Sequence, residues 1–323
     1  MKVGIISFAH MHAHSYASVL KEIDGVILVG IADENEARGR DAADKFGVTY
    51  YFDFNDLLAE DIDAVIVTSE NSNHHRHVTA AAKAGKHILC EKPLGTTMKE
   101  MEEMVLTCQK HGVKLQTAFP VRFNTSIQEA EKIIKEGKLG RVIAMKGTNR
   151  GTNPGGWFVN KSLSGGGAVM DHTVHVVDIM RWFLNAEVTE VYAEADAFFS
   201  DEIDDCGILT MEFDNGVFAT LDCSWSRNKT YPTWGDVTLE VIGSEGTIFI
   251  DAFGQKLNVY SDENGTKWHY WGDDMDKDLI KDFITCVKLD LEPSITGQDG
   301  LKAVEVALAA YQAVEQKSPV KLE

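Results

Sequence analysis

The alternation of short apolar runs with helix-like stretches over the first 120 residues constrains the fold most strongly. Five runs of four to seven residues are predicted to be buried strands: Val3–Ser7, Val26–Ala32, Ala64–Thr68, His87–Cys90 and Lys114–Ala118. Each gap between them contains one predicted helix: Ala13–Glu22, Glu36–Phe46, His77–Ala84 and Met98–His111. Apolar strands separated by single helices are typical of a parallel sheet covered on both faces. The pattern predicts a doubly wound α/β domain with right-handed crossovers.

The pattern changes near residue 122. After a predicted helix at Ile127–Glu136, a series of strand-like runs follows: Val142–Gly147, Glu190–Phe198, Gly207–Phe213, Val217–Ser226, Thr238–Ile242, Gly246–Asp251 and Lys256–Tyr260. Such a series favours an open, mostly antiparallel sheet covered by helices, and two more helices are predicted at Met275–Leu289 and Leu301–Gln316. We therefore expect two domains. Residues 1–122 form a Rossmann-type dinucleotide-binding domain, and residues 123–323 form an α+β domain for substrate binding and oligomerisation, whose last helix packs back on the first domain.

The second face of the antiparallel sheet carries several aromatic side chains in this interpretation. The candidates are Tyr192, Phe213, Phe218, Trp225 and Tyr260. A large apolar face indicates an interface between subunits, but the same residues pack equally well on the helices of their own domain. Both possibilities remain open from the sequence.

The composition excludes several function classes. The chain has 31 Lys and Arg against 50 Asp and Glu, a formal charge of −19. Such a surface repels phosphate backbones and anionic lipids, so neither nucleic acid nor membrane is an expected partner. No apolar run reaches the length of a membrane span or a signal peptide. The five scattered cysteines are typical of reduced thiols, so we expect a soluble cytoplasmic protein.

The first strand–helix turn is where a doubly wound domain binds a dinucleotide. Such turns need glycines, because the backbone must approach the pyrophosphate closely. Here the turn runs from Ser7 to His14 and contains no glycine. Asp33, at the end of the second strand, lies where an acidic side chain would bind a ribose hydroxyl. With Glu34 beside it, it would repel the extra phosphate of NADP. Asp33 is equally compatible with a helix N-cap.

Two further segments carry candidate chemistry. Lys92 follows the fourth strand, at the sheet edge where open α/β sheets bind ligands, although an isolated Lys-Pro is more often a surface feature. The run Gly165–Asp178 contains three glycines and then a predicted helix. On that helix Asp171, His175 and Asp178 share one face, and a carboxylate one turn from an imidazole can orient the ring for acid–base work. The alternative is a solvated ion pair.

Together these segments resemble the Gfo/Idh/MocA family of oxidoreductases, named after glucose–fructose oxidoreductase and inositol dehydrogenase. The similarity extends from Val3 to Leu322. It is carried by these segments: Thr68–His74, Ala84–His87, Glu91-Lys92-Pro93, Arg122-Phe123-Asn124, Trp157-Phe158, Gly165–Asp178 and Ile242–Gly246. Ser7, Ala9 and His12 stand where the family has its three turn glycines.

The resemblance implies a role for each matching residue. Lys92, Asp171 and His175 are the expected catalytic residues, and Arg122, Trp157 and His172 are weaker candidates for contacting the substrate. The expected cofactor-binding residues, besides Asp33 and Lys92, are Ser7, Phe8, Ala9, His10, Met11, His12, Thr68, Ser69, Asn71, His74 and Glu91.

The resemblance also implies an activity. The expected reaction is hydride transfer between NAD, less readily NADP, and a hydroxyl of a sugar, inositol or related polyol. A homodimer or homotetramer through the second sheet is expected. Two alternatives remain open: a redox-neutral, NAD-using glycosidase or epimerase on the same fold, and a cofactor-free binding or regulatory homologue that lost its cofactor with its glycines.

The series His10, His12 and His14 also suggests a metal site. Three imidazoles within five residues are typical ligands of divalent metals. Alternate residues project together only from a strand, however, and this segment is predicted to pass from a turn into a helix. We therefore expect no metal.

Overall fold

The computed structural model describes residues 1–263 and 265–322, which form two compact units. The first unit comprises Met1–Pro120, Ser162–Gly165 and Asp276–Leu301. The second comprises Val121–Lys161, Gly166–Met275 and the part of the chain from Lys302 onward. The first unit thus includes a carboxy-terminal segment that begins at Asp276. The sequence, in contrast, predicted a single domain boundary at residue 122.

The helices of the described chain, numbered in order, are α1 His12–Glu22, α2 Glu36–Phe46, α3 Phe54–Leu58, α4 His74–Lys83, α5 Met98–His111, α6 Thr125–Lys135, α7 Lys161–Ser164, α8 Ala168–Leu184, α9 Met275–Leu289 and α10 Gly297–Gln316. Short 3-10 turns occur at Asn71–Asn73, Pro120–Phe123 and Gly156–Val159. None of these helices has both the length and the apolar character needed to cross a membrane.

The strands, numbered in the same way, are β1 Lys2–Ile6, β2 Ile27–Ala32, β3 Thr49–Tyr51, β4 Ala64–Val67, β5 His87–Glu91, β6 Leu115–Ala118, β7 Val142–Thr148, β8 Val188–Asp196, β9 Cys206–Phe213, β10 Phe218–Asp222, β11 Thr238–Gly243, β12 Thr247–Asp251, β13 Lys256–Ser261, β14 Gly265–Tyr270 and β15 Val320–Lys321.

The sheet of the first unit has six strands in the order β3-β2-β1-β4-β5-β6. Every neighbouring pair in it is parallel, which confirms the predicted doubly wound sheet. Its central strands β1 and β4 are buried almost throughout, as expected for strands covered on both faces. The three-residue strand β3 was not predicted, because so short a segment gives no periodic signal.

Local sequence signals define the helices that cover this sheet. Asn35 accepts a hydrogen bond from the Arg38 amide and caps α2. Thr97 caps α5 in the same way, and α5 ends at Gly112, which has a φ of 65°. Side-chain caps at the amino end and left-handed glycines at the carboxyl end are the usual boundaries of helices.

The sheet of the second unit has seven strands in the order β12-β11-β7-β10-β9-β8-β15. Only the central pair β7 and β10 is parallel, so the predicted, mostly antiparallel sheet is confirmed. Burial alternates strictly along β9, which means that one face of the sheet is covered. Nearly all of α8 is buried as well, and this helix packs against β7 and β9.

The outer face of this sheet differs from the prediction. Phe213 and Trp225 are only 3% and 2% exposed, so their assignment to the outer face is wrong. Phe213 falls on the inward positions of β9, and Trp225 lies beyond the end of β10. Tyr260 belongs to the separate two-stranded ribbon of β13 and β14. Exposed apolar side chains on the outer face include Phe218, Phe249 and Ile208.

Candidate active site

The turn between β1 and α1 keeps a compact geometry without its glycines. Ser7 has a φ of 72°, in the left-handed region that glycine normally occupies. Its hydroxyl accepts a hydrogen bond from the Ala9 amide at 3.1 Å, and its carbonyl accepts one from the Thr68 hydroxyl at 2.6 Å. The His10 amide donates to the Thr68 carbonyl at 3.0 Å. These bonds offset a strain of about 1–2 kcal/mol expected for a left-handed residue with a Cβ atom.

Two other residues of the turn lie apart from the expected contact surface. The Phe8 ring is buried, 5.0 Å from His14 and 6.0 Å from Phe46 between ring centroids. Only its backbone amide is oriented towards Asp33, to which it donates at 2.7 Å. Met11, in contrast, is 63% exposed.

Asp33 is fully buried and is paired with an arginine that the sequence analysis missed. Arg38 donates from Nε and from a terminal nitrogen to the two carboxylate oxygens, at 2.8 and 2.9 Å. The N-cap of α2 is Asn35, so Asp33 does not serve as the cap of that helix. Glu34 is likewise paired, with Arg76 at 2.5 and 2.8 Å. The negative charge of both acidic side chains is therefore largely compensated in this structure.

A cavity of about 370 Å³ lies at the carboxyl ends of β1, β2 and β4. Its volume is within the range of small-molecule sites. The lining combines apolar and charged side chains, among them Phe52, Phe54, Asp33, Arg38, Ser69 and Arg76. Aromatic walls beside a carboxylate at this edge of a doubly wound sheet fit the adenosine part of a dinucleotide.

Histidines 74 and 77 hold the loop that follows β4. The two ring nitrogens of His74 lie 3.0 Å from the carbonyls of Pro93 and Ser69, and the ring is fully buried. His77 Nδ1 lies 2.9 Å from the Ser69 hydroxyl. Burial lowers the pKa of His74, and it lowers the pKa of His77 to about 3. The His77 ring is therefore neutral at physiological pH.

Asn71 provides a second test of whether the first unit fits a dinucleotide. Its amide nitrogen donates to the Ser164 carbonyl at 2.8 Å. Its buried Oδ1 has no hydrogen-bond partner among the described residues. A buried acceptor without a partner is costly, and a hydroxyl or amide of a bound cofactor would satisfy it. Together with the cavity, this orphaned oxygen fits an NAD-type cofactor.

Glu91, the last residue of β5, is the centre of a buried polar cluster. Its carboxylate accepts hydrogen bonds from the Tyr16 hydroxyl at 2.6 Å and the Lys92 amide at 3.1 Å. His12 Nδ1 lies 3.0 Å from the same carboxylate, and His10 Nε2 lies 4.0 Å away. Burial opposes ionisation of Glu91, but the neighbouring imidazoles hold the pKa of its carboxyl well below the usual range. Burial also opposes charging of His12, yet the Glu91 carboxylate raises the pKa of His12.

The convergence of His10 and His12 corrects one expectation. Their ring centroids are only 4.4 Å apart, although the sequence analysis expected alternate histidines in this segment to diverge. His10 precedes α1, which begins at His12, and so the two residues are not related by helical geometry. Lys92, next to Glu91, is buried, and the Lys92–Pro93 peptide is cis.

In the second unit, the glycine run starts α8 through an acidic cap that lies far away in the sequence. Asp204 accepts hydrogen bonds from the amides of Gly167 and Val169, each at 2.9 Å. The Tyr311 hydroxyl donates to Asp204 at 3.0 Å. A Cβ atom on Gly167 would lie 1.9 Å from the Asp204 carbonyl oxygen. Only glycine therefore allows this approach.

Asp171 lies in the first turn of α8 and is oriented by two ring systems. Trp225 Nε1 donates to its Oδ2 at 3.2 Å, and His172 Nε2 lies 3.4 Å from the same oxygen. His172 Nδ1 lies 3.1 Å from the Cys223 carbonyl. His175 is one turn further along the same helix and is buried. A fixed carboxylate one turn from a buried imidazole can take part in acid–base chemistry.

Arg122 and Trp157 both contact other side chains of the second unit. Two guanidinium nitrogens of Arg122 donate to the Asp178 carboxylate at 2.6 Å, and both residues are buried. Asp178 is thus engaged with Arg122. The Trp157 ring stacks on Phe158 at 3.9 Å between centroids, and Phe158 packs against Ala168 and Trp225.

Sequence reasoning missed Arg38, Asp204, Trp225 and Tyr311. Each of them is hydrogen-bonded to a residue at least five positions away in the sequence. Neither composition nor local periodicity predicts such pairs. Asp204 and Tyr311 lie 37 and 144 positions from Gly167, to which they are bonded.

Comparison with known proteins identifies the family. Residues 1–119 match the family described as "Oxidoreductase family, NAD-binding Rossmann fold", and residues 127–249 match the "GFO/IDH/MocA C-terminal domain".

Relatives and solved structures agree with this match. The chain is 32% identical to a myo-inositol 2-dehydrogenase of Thermotoga maritima, over all of this chain and 99% of that protein. It is 26% identical to scyllo-inositol 2-dehydrogenase (NAD(+)) of Bacillus subtilis, over all of this chain and 96% of that one. The crystal structure of myo-inositol 2-dehydrogenase from Lactobacillus plantarum aligns with a TM-score of 0.88 at 26% identity, covering 100% and 99% of the two chains. The chain therefore belongs to the Gfo/Idh/MocA family of oxidoreductases.

Proposed function

We propose that this protein transfers a hydride between NAD and a secondary hydroxyl of a cyclitol or sugar. The observation that carries the proposal is the position of Lys92, which is buried directly after β5. Because β4 and β5 are parallel neighbours, Lys92 lies at the same carboxyl edge of the sheet as the cavity, although it does not line the cavity itself. The full-length similarity to proteins named myo-inositol and scyllo-inositol 2-dehydrogenase supports a cyclitol as the first substrate to test.

Three residues of this chain carry the acid–base work in the proposed oxidation. His175 takes the proton of the reacting hydroxyl, and Lys92 donates a hydrogen bond to the same oxygen as its negative charge develops. Asp171, which Trp225 and His172 hold in place, orients the reacting groups. A bound NAD would supply the acceptor for the hydride of the hydroxyl-bearing carbon. In the reverse direction His175 returns the proton to the carbonyl oxygen.

We propose NAD rather than NADP as the preferred cofactor. Asp33 directly follows β2, at the position where an acidic side chain can bind a ribose diol. Arg38 occupies both oxygens of its carboxylate in this structure, so the diol has to displace Arg38 to bind there. Arg38 and Arg76 compensate Asp33 and Glu34, so the repulsion of a 2′-phosphate is weaker than the two acids alone would give. The preference for NAD is accordingly expected to be moderate.

The proposal includes a homo-oligomer in the cytoplasm. The exposed apolar residues Ile208, Phe218 and Phe249 on the outer sheet face support assembly through that face. All five cysteines are unpaired, which supports a reducing compartment.

Steady-state kinetics with the variants Lys92→Met and His175→Gln test this function. Myo-inositol, scyllo-inositol and D-xylose are offered with NAD or NADP, and the reduced nicotinamide is followed by its absorbance. Each substitution is expected to lower kcat by about 10²-fold or more while the protein remains folded, because a positioned acid–base group is removed. NADP is expected to give a higher KM than NAD.

The exposed residues Lys99 and His111 provide matched control variants, Lys99→Met and His111→Gln. Both controls should retain the activity of the unmodified protein. If Lys92→Met and His175→Gln also retain it, the assignment of these residues is incorrect.

A further inference from the structure

His10, His12 and Glu91 form a cluster whose composition and spacing suit a metal ion. Their ligand atoms all lie within 4.8 Å of one another, and no other such cluster occurs in the part of the chain that the structure describes. Glu91 is fully buried, His10 is 3% exposed, and the His12 side chain is 30% exposed. Two imidazoles and one carboxylate are a frequent ligand set for divalent first-row transition metals.

The distances are close to those that coordination requires. Such a metal binds imidazole nitrogen and carboxylate oxygen at about 2.0–2.2 Å, so neighbouring ligand atoms are about 3–3.6 Å apart around it. The His12 Nδ1 to Glu91 distance is 3.0 Å, and the His10 Nε2 to Glu91 distance is 4.0 Å. The ligand atoms of His10 and His12 lie within 4.8 Å of each other, so His10 has to move closer for all three groups to reach one ion.

The surroundings of Glu91 resemble the outer shell of a metal site. The Tyr16 hydroxyl and the Lys92 amide donate to the carboxylate at 2.6 and 3.1 Å and fix its orientation. Ligating carboxylates in metal sites are typically held by such hydrogen bonds. The partly exposed His12 ring leaves a path from solvent to the cluster.

One hydrogen bond must open when the metal binds. The His12 amide donates to His10 Nδ1 at 3.2 Å, so a neutral His10 carries its proton on Nε2. Coordination through Nε2 moves that proton to Nδ1 and displaces this contact. The ion also takes the place of the proton shared between His12 and Glu91.

We propose that His10, His12 and Glu91 bind one divalent transition-metal ion of the Zn²⁺ type. His12, which stands at one of the three glycine positions of the turn, thus converges with the neighbouring His10 on the end of β5. The test of this site is independent of the proposed hydride transfer, because it measures binding of the ion alone.

The test is a Zn²⁺ titration of the full-length protein after treatment with a chelator and dialysis. Zn²⁺ is added in competition with a chromophoric chelator, and Co²⁺ is added in a parallel experiment to obtain a visible ligand-field spectrum. One equivalent of Zn²⁺ is expected to bind. Loss of a residue that only holds a ligand in place typically weakens metal binding by about 10–100-fold, and Tyr16→Phe is expected to weaken Zn²⁺ binding by about 10-fold. His10→Ala and His12→Ala each remove a ligand and should weaken Zn²⁺ binding by more than this range.

His14→Ala is the matched control, since the His14 ring packs against Phe8 and Phe46, away from Glu91. Its affinity for Zn²⁺ should equal that of the unmodified protein. The proposal is overturned if the unmodified protein binds no more Zn²⁺ than His12→Ala, or if His14→Ala loses as much affinity as His12→Ala. Should the variants fail to fold, a Co²⁺ complex of the unmodified protein without a visible ligand-field band would overturn it as well.

Discussion

At the residue scale, Ser7 shows how a tight strand–helix turn can persist without glycine. The residue adopts a left-handed φ of 72°, and its hydroxyl binds the Ala9 amide and lies 3.3 Å from a donor nitrogen of Arg38. The hydroxyl thus contributes bonds that glycine cannot make. Loss of the glycine pattern is therefore not evidence that the turn has lost its shape.

His77 allows a prediction about the pH dependence of stability. Its pKa in the folded protein is about 3, because of burial, against about 6.5 in the unfolded chain. Between these values the unfolded chain binds a proton that the folded protein does not, so stability falls as the pH decreases below 6.5. The loss attributable to His77 is about 2 kcal/mol between pH 7 and pH 5.

Urea unfolding at the two pH values tests this prediction. His77→Asn should lose about 2 kcal/mol less unfolding free energy on acidification than the unmodified protein. The exposed His111, changed to Asn, should leave the pH dependence as it was. An unchanged pH dependence in His77→Asn would show that the pKa of His77 is the same in the folded protein as in the unfolded chain.

At the element scale, α8 depends on a cap supplied by distant residues. Its first amides are bonded to Asp204, and Tyr311 is bonded both to Asp204 and to the amides of Gly167 and Met170. The cap fixes the first turn of the helix, on which Asp171 lies. The stability of α8 and the position of Asp171 are therefore linked.

Asp204→Ala removes this cap and is expected to lower the unfolding free energy by about 1–2 kcal/mol, as for other N-cap deletions. Because the first turn of α8 becomes less fixed, kcat should decrease as well. Chemical denaturation and steady-state kinetics measure both effects. The exposed Asp201, changed to Ala, is the control, and equal stability of the two variants would contradict the capping role.

Sequence patterns predicted the elements well where a local signal exists. The apolar runs located five of the six parallel strands, and the glycine run located the start of α8. The inward positions of Phe213 and Trp225 were not predicted, because the face a side chain occupies depends on the register of the strand and on where it ends. The cluster around Glu91 was missed since it joins α1 to β5, 75 and more positions apart.

At the scale of the whole molecule, the outer sheet face determines the expected assembly. Ile208 and Phe218 are 57% and 55% exposed and lie on adjacent antiparallel strands. Exposed apolar side chains on an extended sheet are typical of interfaces between copies of a chain.

The double variant Ile208→Lys/Phe218→Lys tests this assembly. It should convert the proposed oligomer into monomers, because burying two lysines in an interface is costly. Light scattering coupled to size-exclusion chromatography measures the mass. Leu106→Lys, at an exposed apolar position on α5, should keep the mass of the unmodified protein. An unmodified protein that is monomeric would contradict assembly through this face.

The most direct test of the account is to follow a deuterium label from the substrate carbon to the nicotinamide. The protein is incubated with NAD and a polyol deuterated at its ring carbons, with myo-inositol used first, and the nicotinamide is analysed by mass spectrometry. Direct hydride transfer predicts reduced nicotinamide that is heavier by one mass unit, formed far more slowly by Lys92→Met. Unlabelled reduced cofactor, or conversion of the polyol while the cofactor pool stays oxidised, would contradict a dehydrogenase.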